Sequence, residues 1–176
     1  TLRATEIMPA NLVANMSRTP EMRAAWYRLD QLERMAATNK PPVDWHRFIE
    51  HVLAVDGEVH SGTAGVVNEK LYASLRDYAK RTGAPADARA CLDFLHGIGA
   101  WNWPEAAAAG RVITLSKDTI EWLPATLLRN GMTVAYLKLG EWRSAQETLK
   151  IYAQRTGEDS FRERILENYL VYADTG

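Results

Sequence analysis

One cysteine, three phenylalanines and almost no net charge are what 176 residues carry here. A lone Cys91 excludes an internal disulfide, and its place on an apolar helix face makes it a core thiol before a reactive one. Lys and Arg number 21 against 22 Asp and Glu, giving a net charge of −1 and a pI near 6.4. That balance offers no broad attraction to nucleic acid or an anionic membrane, and no basic tail or low-complexity segment supplies one locally. No run of about 20 apolar residues occurs, which excludes a bilayer-spanning helix. A nucleophile elbow and a phosphate-binding glycine pattern are also missing. Gly97-Ile98-Gly99 has neither the preceding strand nor the third glycine such a loop needs. The chain opens on Thr1 instead of Met, which suggests a processed protein or an excised piece; compartment is left open.

What remains is an ordinary folding composition, 47% hydrophobic and 24% charged, long enough for one domain with a real core. The densest ionisable cluster is Trp45-His46-Arg47-Phe48-Ile49-Glu50-His51. Zinc-protease helices place two histidines four apart on one face. Here they are five apart, so the two rings diverge by roughly 140° around the helix and do not close on one metal. No metal site or cofactor is therefore expected. Glu158, Asp159 and Glu163 lie where a first helical turn welcomes negative charge, and serve the helix dipole.

The strongest positive signal is internal repetition. Tyr78-Ala79-Lys80-Arg81-Thr82-Gly83 returns as Tyr152-Ala153-Gln154-Arg155-Thr156-Gly157, five of six letters identical and 152 − 78 = 74 residues later. Each copy reads as a helix end: an aromatic and an Ala on the packed face, a cation in the last turn, then Gly in a left-handed closing position. The same shift lays Cys91, Leu92 and Leu95 over Ile165, Leu166 and Tyr169, one apolar face in each copy. A second register sits at 136 − 95 = 41, where Leu95–Trp101 overlies Tyr136–Trp142. It puts Trp101 and Trp142 at one repeat position, predicting that both pack between hairpins. Trp103, beside Pro104, is extra, and packing is the favoured reading for it over an exposed stacking role. Ala145 and Leu149 follow at spacings that return to the first helix, with a small residue where axes approach to about 8–10 Å.

Pro in a first turn marks helix starts at Pro20, Pro85 and Pro124, and Asn102 with Glu105 forms a capping box. Helices are predicted near 4–16, 20–38, 43–55, 63–82, 86–98, 103–115, 124–139, 141–156 and 160–173. The clearest breaks are residues 39–42 and 56–62. Residues 1–60 read as a helical pair or divergent capping repeat, and 61–176 as the repeats. The last helix is either a closing helix or a truncation point.

Tyr136, Gly140, Ala145 and Leu149 fill slots of the tetratricopeptide repeat, a helical hairpin of about 34 residues. Over residues 126–158 the chain resembles that family. It departs at Arg129, where a large apolar residue belongs, and at Thr133, where Gly or Ala belongs. The array is a degenerate one, and the resemblance implies an all-α fold of antiparallel helix hairpins stacked into a right-handed α-α superhelix.

It further implies a non-catalytic scaffold that binds a peptide or partner protein in a groove lined by first helices. The matching positions are Arg89, Asp93 and His96, then Asn130, Val134, Leu137 and Lys138, then Glu163 and Glu167. They mix both signs, unlike the cation-and-Asn set that clamps a C-terminal carboxylate, so the expected partner is read along its length. The alternatives are an accessory or regulatory domain of a longer enzyme or secretion/assembly protein and, against the charge balance, a nucleic-acid-binding helical repeat.

Overall fold

Every element that the apolar periodicity predicts within residues 20–59, 65–115 and 121–156, which the computed structural model describes, is an α-helix. The described residues hold seven: α1 Pro20–Ala36, α2 Trp45–Val59, α3 Gly65–Arg81, α4 Ala86–Gly99, α5 Trp103–Leu115, α6 Ala125–Leu139 and α7 Trp142–Thr156. The helices expected near 4–16 and 160–173 lie outside the described residues. Helix α2 runs on through Asp56-Gly57 to Val59, where the sequence suggested a break. Phe48, Ile49, Val52 and Val55 keep one buried face down this helix, and a single Gly costs a helix only about 1 kcal/mol.

Helix ends are decided by local chemistry. Asp44 caps α2, its Oδ1 accepting from the backbone N–H of His46 at 2.8 Å and of Arg47 at 3.3 Å. Pro85 and Pro124 stand one residue before their helices, as N-caps with extended ψ, and so offer no side-chain oxygen to the first turn. Glu121 supplies one for α6 by accepting from the Ala125 N–H at 2.8 Å. Gly83 takes a φ of 71°, as the hexapeptide predicted, and Gly140, read as a helix end, takes 73°. Gly157, the second hexapeptide glycine, lies outside the described residues. The residue after Gly83 and the one after Gly140 each donate back five positions, Ala84 to the Ala79 carbonyl and Glu141 to that of Tyr136, both at 2.9 Å.

Helix α4 ends differently, and this corrects the 41-residue register. The left-handed position there is occupied by Trp101, φ 56°, two residues beyond Gly99. Asn102 then donates to the Gly97 carbonyl at 2.8 Å, and α5 begins at Trp103. The structural equivalents across the two hairpins are Trp103 with Trp142 and Ala106 with Ala145, an offset of 39 (142 − 103 and 145 − 106). Trp103 and Trp142 pack partly buried against the core, and Trp101 is 75% exposed. The expectation that Trp101 packs between hairpins is thus overturned, and Trp103 takes the packed place equivalent to that of Trp142.

Packing runs mainly between chain neighbours: α1 on α2 and α3, α2 on α4, then α3 on α4, α4 on α5, α5 on α6 and α6 on α7. Close crossings depend on residues without bulk. A Cβ on Gly97 would lie 2.7 Å from the backbone nitrogen of Ala106, which fixes how tightly α4 and α5 close. A Cβ on Gly131 would meet Phe94 Cζ at 2.5 Å, and one on Gly110 would meet Met132 Cγ at 2.6 Å. The buried Phe94 ring is therefore wedged where α4, α5 and α6 converge. One hydrophobic core extends from Leu29 in α1 to Leu149 in α7.

The first copy of the repeated hexapeptide joins the N-terminal helical pair to the rest of the array. Tyr78 stacks among Trp45 and Phe48 and donates its hydroxyl to the Lys40 carbonyl at 2.7 Å. Arg81 reaches the carbonyls at the C-terminal end of α1, donating to Ala36 at 2.8 Å and to Thr38 just beyond it at 3.2 Å. A last-turn cation read as answering its own helix dipole also caps its neighbour's.

Candidate interaction groove and its polar hub

Helices α3 and α4 leave an open groove of about 400 Å³ between them. Its floor is apolar: Ala79 and Leu92 are both fully buried, and Ala73 stands at its edge. Its rim is charged, with Arg76, Asp77 and Lys80 from α3 and Arg89 and Asp93 from α4. Arg76 and Lys80 are one helical turn apart, as are Arg89 and Asp93, so each helix presents its pair on the face that borders the groove.

At one end the rim is organised around Arg76. Its guanidinium donates from Nε to Asp93 Oδ1 at 2.6 Å and from Nη2 to Glu105 Oε1. Its Nη1 stands 2.8 Å from His96 Nδ1, which in turn lies 2.7 Å from Glu105 Oε2. Arginine is always a donor. The His96 Nδ1 lone pair can accept from Arg76, or a proton there can be given to Glu105, but one nitrogen does not do both at once. Asn102 adds a contact from Nδ2 to Glu105 Oε2 at 3.2 Å, while its Oδ1 accepts from the Glu105 N–H at 3.5 Å. Only half of the expected capping box forms: the backbone N–H of Asn102 goes to the Gly97 carbonyl, and the Glu105 carboxylate turns to the hub. The hub ties α3, α4 and the first turn of α5 together, and only about a third of the Arg76 side chain is exposed.

Arg89 and Asp93, expected from the resemblance, line this groove, and His96 is half-buried in the hub. Asn130, Val134 and Lys138 form an exposed stripe along α6. Leu137 is partly buried and packs on the core. Glu163 and Glu167 lie outside the described residues. Arg76, Lys80 and Glu105 are additions to the site: the sequence placed Lys80 in a helix end and Glu105 in a capping box, not at a groove. Arg76 and Lys80 lie on α3, outside the helices whose first-helix positions the resemblance assigns to a groove. The one available signal was their shared face on α3.

Elsewhere the candidates resolve into local contacts. His46 Nε2 is 3.2 Å from the Glu121 carbonyl oxygen and its ring meets Trp122 edge-on at 5.7 Å. A second cleft, about 440 Å³, lies beside them and is lined by Glu50, Leu53, Glu121 and Trp122. Among the described residues no three His, Cys, Asp or Glu side chains are grouped to hold a metal ion. None of the described helices is long and apolar enough to cross a membrane. Burial pushes the Cys91 thiol up to about 12, with Asp87 adding to the shift. Trp101 stacks on Trp103 with ring centroids 6.5 Å apart and planes 19° apart.

No known family, curated protein or solved structure matches this chain. The site must be read from its own geometry.

Proposed function

We propose that this chain is a protein-interaction scaffold of tetratricopeptide-like character, without catalytic chemistry of its own, that holds an extended segment of a partner. The observation that carries the reading is the α3–α4 groove, whose buried Ala79 and Leu92 floor and charged rim suit alternating apolar and polar side chains. The exposed stripe of Asn130, Val134 and Lys138 offers a second surface on the next hairpin. The thiol that a covalent mechanism would recruit is buried and held neutral at physiological pH. Arg76 is bonded to Asp93 and to Glu105, the carboxylate that also meets His96, which suits a fixed structural junction better than a proton-transfer site.

The test is capture of partners from the native source with wild-type protein and a triple variant, Arg89→Ala with Asn130→Ala and Lys138→Ala. All three side chains are exposed, so the fold should survive, and circular dichroism checks that it does. Loss of the same partners from the variant supports the reading. Equal capture by both proteins would remove this face from consideration.

A further inference from the structure

The groove's charges do not stand as they would be counted from the sequence. Three cations and two carboxylates line it, but both carboxylates are already engaged from within the fold. Asp93 accepts from Arg76 at 2.6 Å, and Asp77 accepts from Arg81 Nε at 2.7 Å. Arg76 is further committed to Glu105 and His96. The side chains of Lys80 and Arg89 have no hydrogen-bond or ion-pair partner among the described residues, and both residues are exposed on the rim. Internal pairing thus converts a mixed rim into one presenting two unspent cations, in a chain whose net charge is −1.

We propose that the α3–α4 groove selects an acidic peptide segment, its carboxylates set toward Lys80 and Arg89 and a small aliphatic side chain between them over Ala79 and Leu92. This rests on the groove's role as a peptide site and sharpens it. The mixture of signs expected of the partner from the sequence is replaced, at this groove, by a preference for negative charge. Lys80 supplies a flexible point charge and Arg89 a planar fork. Among the described residues neither has an ion pair to break, so the cost of engaging a carboxylate there is desolvation and side-chain ordering.

The experiment uses the whole chain and three fluorescein-labelled peptides with the same aliphatic residues, the intervening positions being Glu, Gln or Lys. A single-stranded oligothymidylate is the fourth probe, and binding is read by fluorescence anisotropy at low and physiological salt. The Glu peptide should bind about ten-fold more tightly than the Gln peptide, and the margin should shrink with salt. Lys80→Gln with Arg89→Gln should abolish the margin, and Lys80→Glu with Arg89→Glu should transfer it to the Lys peptide. Ala73→Trp, which fills the edge of the floor, should weaken all three peptides alike. If all three bind wild type equally and are lost together in Ala73→Trp, the groove stands and the acidic preference falls. If none binds, both fall. Tighter binding of the oligothymidylate than of the Glu peptide would overturn the assignment in favour of a polyanion site.

Discussion

Thr133 shows what one misplaced hydroxyl costs. It sits in α6 where the repeat prefers Gly or Ala, is 1% exposed, and its Oγ1 has no hydrogen-bond partner among the described residues. A buried hydroxyl without a partner costs about 1–3 kcal/mol. Thr133→Val keeps the volume and removes the oxygen, so it should raise stability by about 1 kcal/mol in urea unfolding. A loss of stability would mean that the hydroxyl is satisfied in solution. Cys91 gives a second test. With a thiol near 9 when unfolded and about 12 when folded, the native state keeps a proton that the unfolded chain releases. Stability is therefore unaffected by this group below pH 9 and falls as pH rises from 9 toward 12. Tyr78 and Tyr136, both raised chiefly by burial, add to the same alkaline loss. Cys91→Ala should flatten the decline between about pH 9 and 10.5, measured as the slope of unfolding free energy on pH. Native protein should also resist thiol reagents at about pH 8, where the buried thiol stays protonated.

At the scale of the element, hairpin closure is set by small residues, and the sequence displayed some and hid others. Ala145 was legible because a repeat slot names it, and it is fully buried. Its structural equivalent Ala106 was hidden because the 41-residue register sets Gly99 against Gly140, two residues off the offset of 39 at which the helices correspond. A tryptophan at a left-handed position carries no composition signal, and sterics disfavour it by about 1–2 kcal/mol. Gly83 and Gly140 could be read as helix ends because glycine is the residue that takes such φ values freely. The groove was half legible for a related reason. Arg89 and Asp93 lie on a helix the pattern recognises, but the cancellation of Asp77 by Arg81 and of Asp93 by Arg76 is a fact of three-dimensional pairing. Gly97→Ala tests the tightest crossing. Its Cβ would press on Ala106 backbone, which cannot rotate away, and should cost about 1–3 kcal/mol despite alanine's better helix propensity. Ala145→Leu should cost a similar amount at the second hairpin. Unchanged thermal unfolding in either variant would contradict the crossing it probes.

For the whole molecule the question is whether the hairpins melt together. Nearest-neighbour packing makes an array's stability a sum of units and interfaces, so cooperativity is only as strong as the weakest interface. Here α6 and α7 pack on each other, and α5 with the Phe94 wedge joins them to the rest. Since one core runs from Leu29 to Leu149, wild type should unfold in a single transition, with far-ultraviolet ellipticity and hydrogen exchange in α3 and α7 reporting the same midpoint. Leu149→Ala removes apolar contact inside the last hairpin and should lower that midpoint without dividing it. Phe94→Ala removes the ring shared by α4, α5 and α6, at a cost of about 3–5 kcal/mol placed where these three helices meet. It should therefore uncouple α6 and α7, so that their amides exchange at lower denaturant than those of α3 and α4. The groove, built wholly from α3 and α4 with Glu105 behind it, should survive in the Phe94→Ala protein at denaturant levels where α7 has already opened. A single, uniformly lowered transition in that variant would show that coupling reaches beyond the wedge and that the chain folds as one indivisible unit.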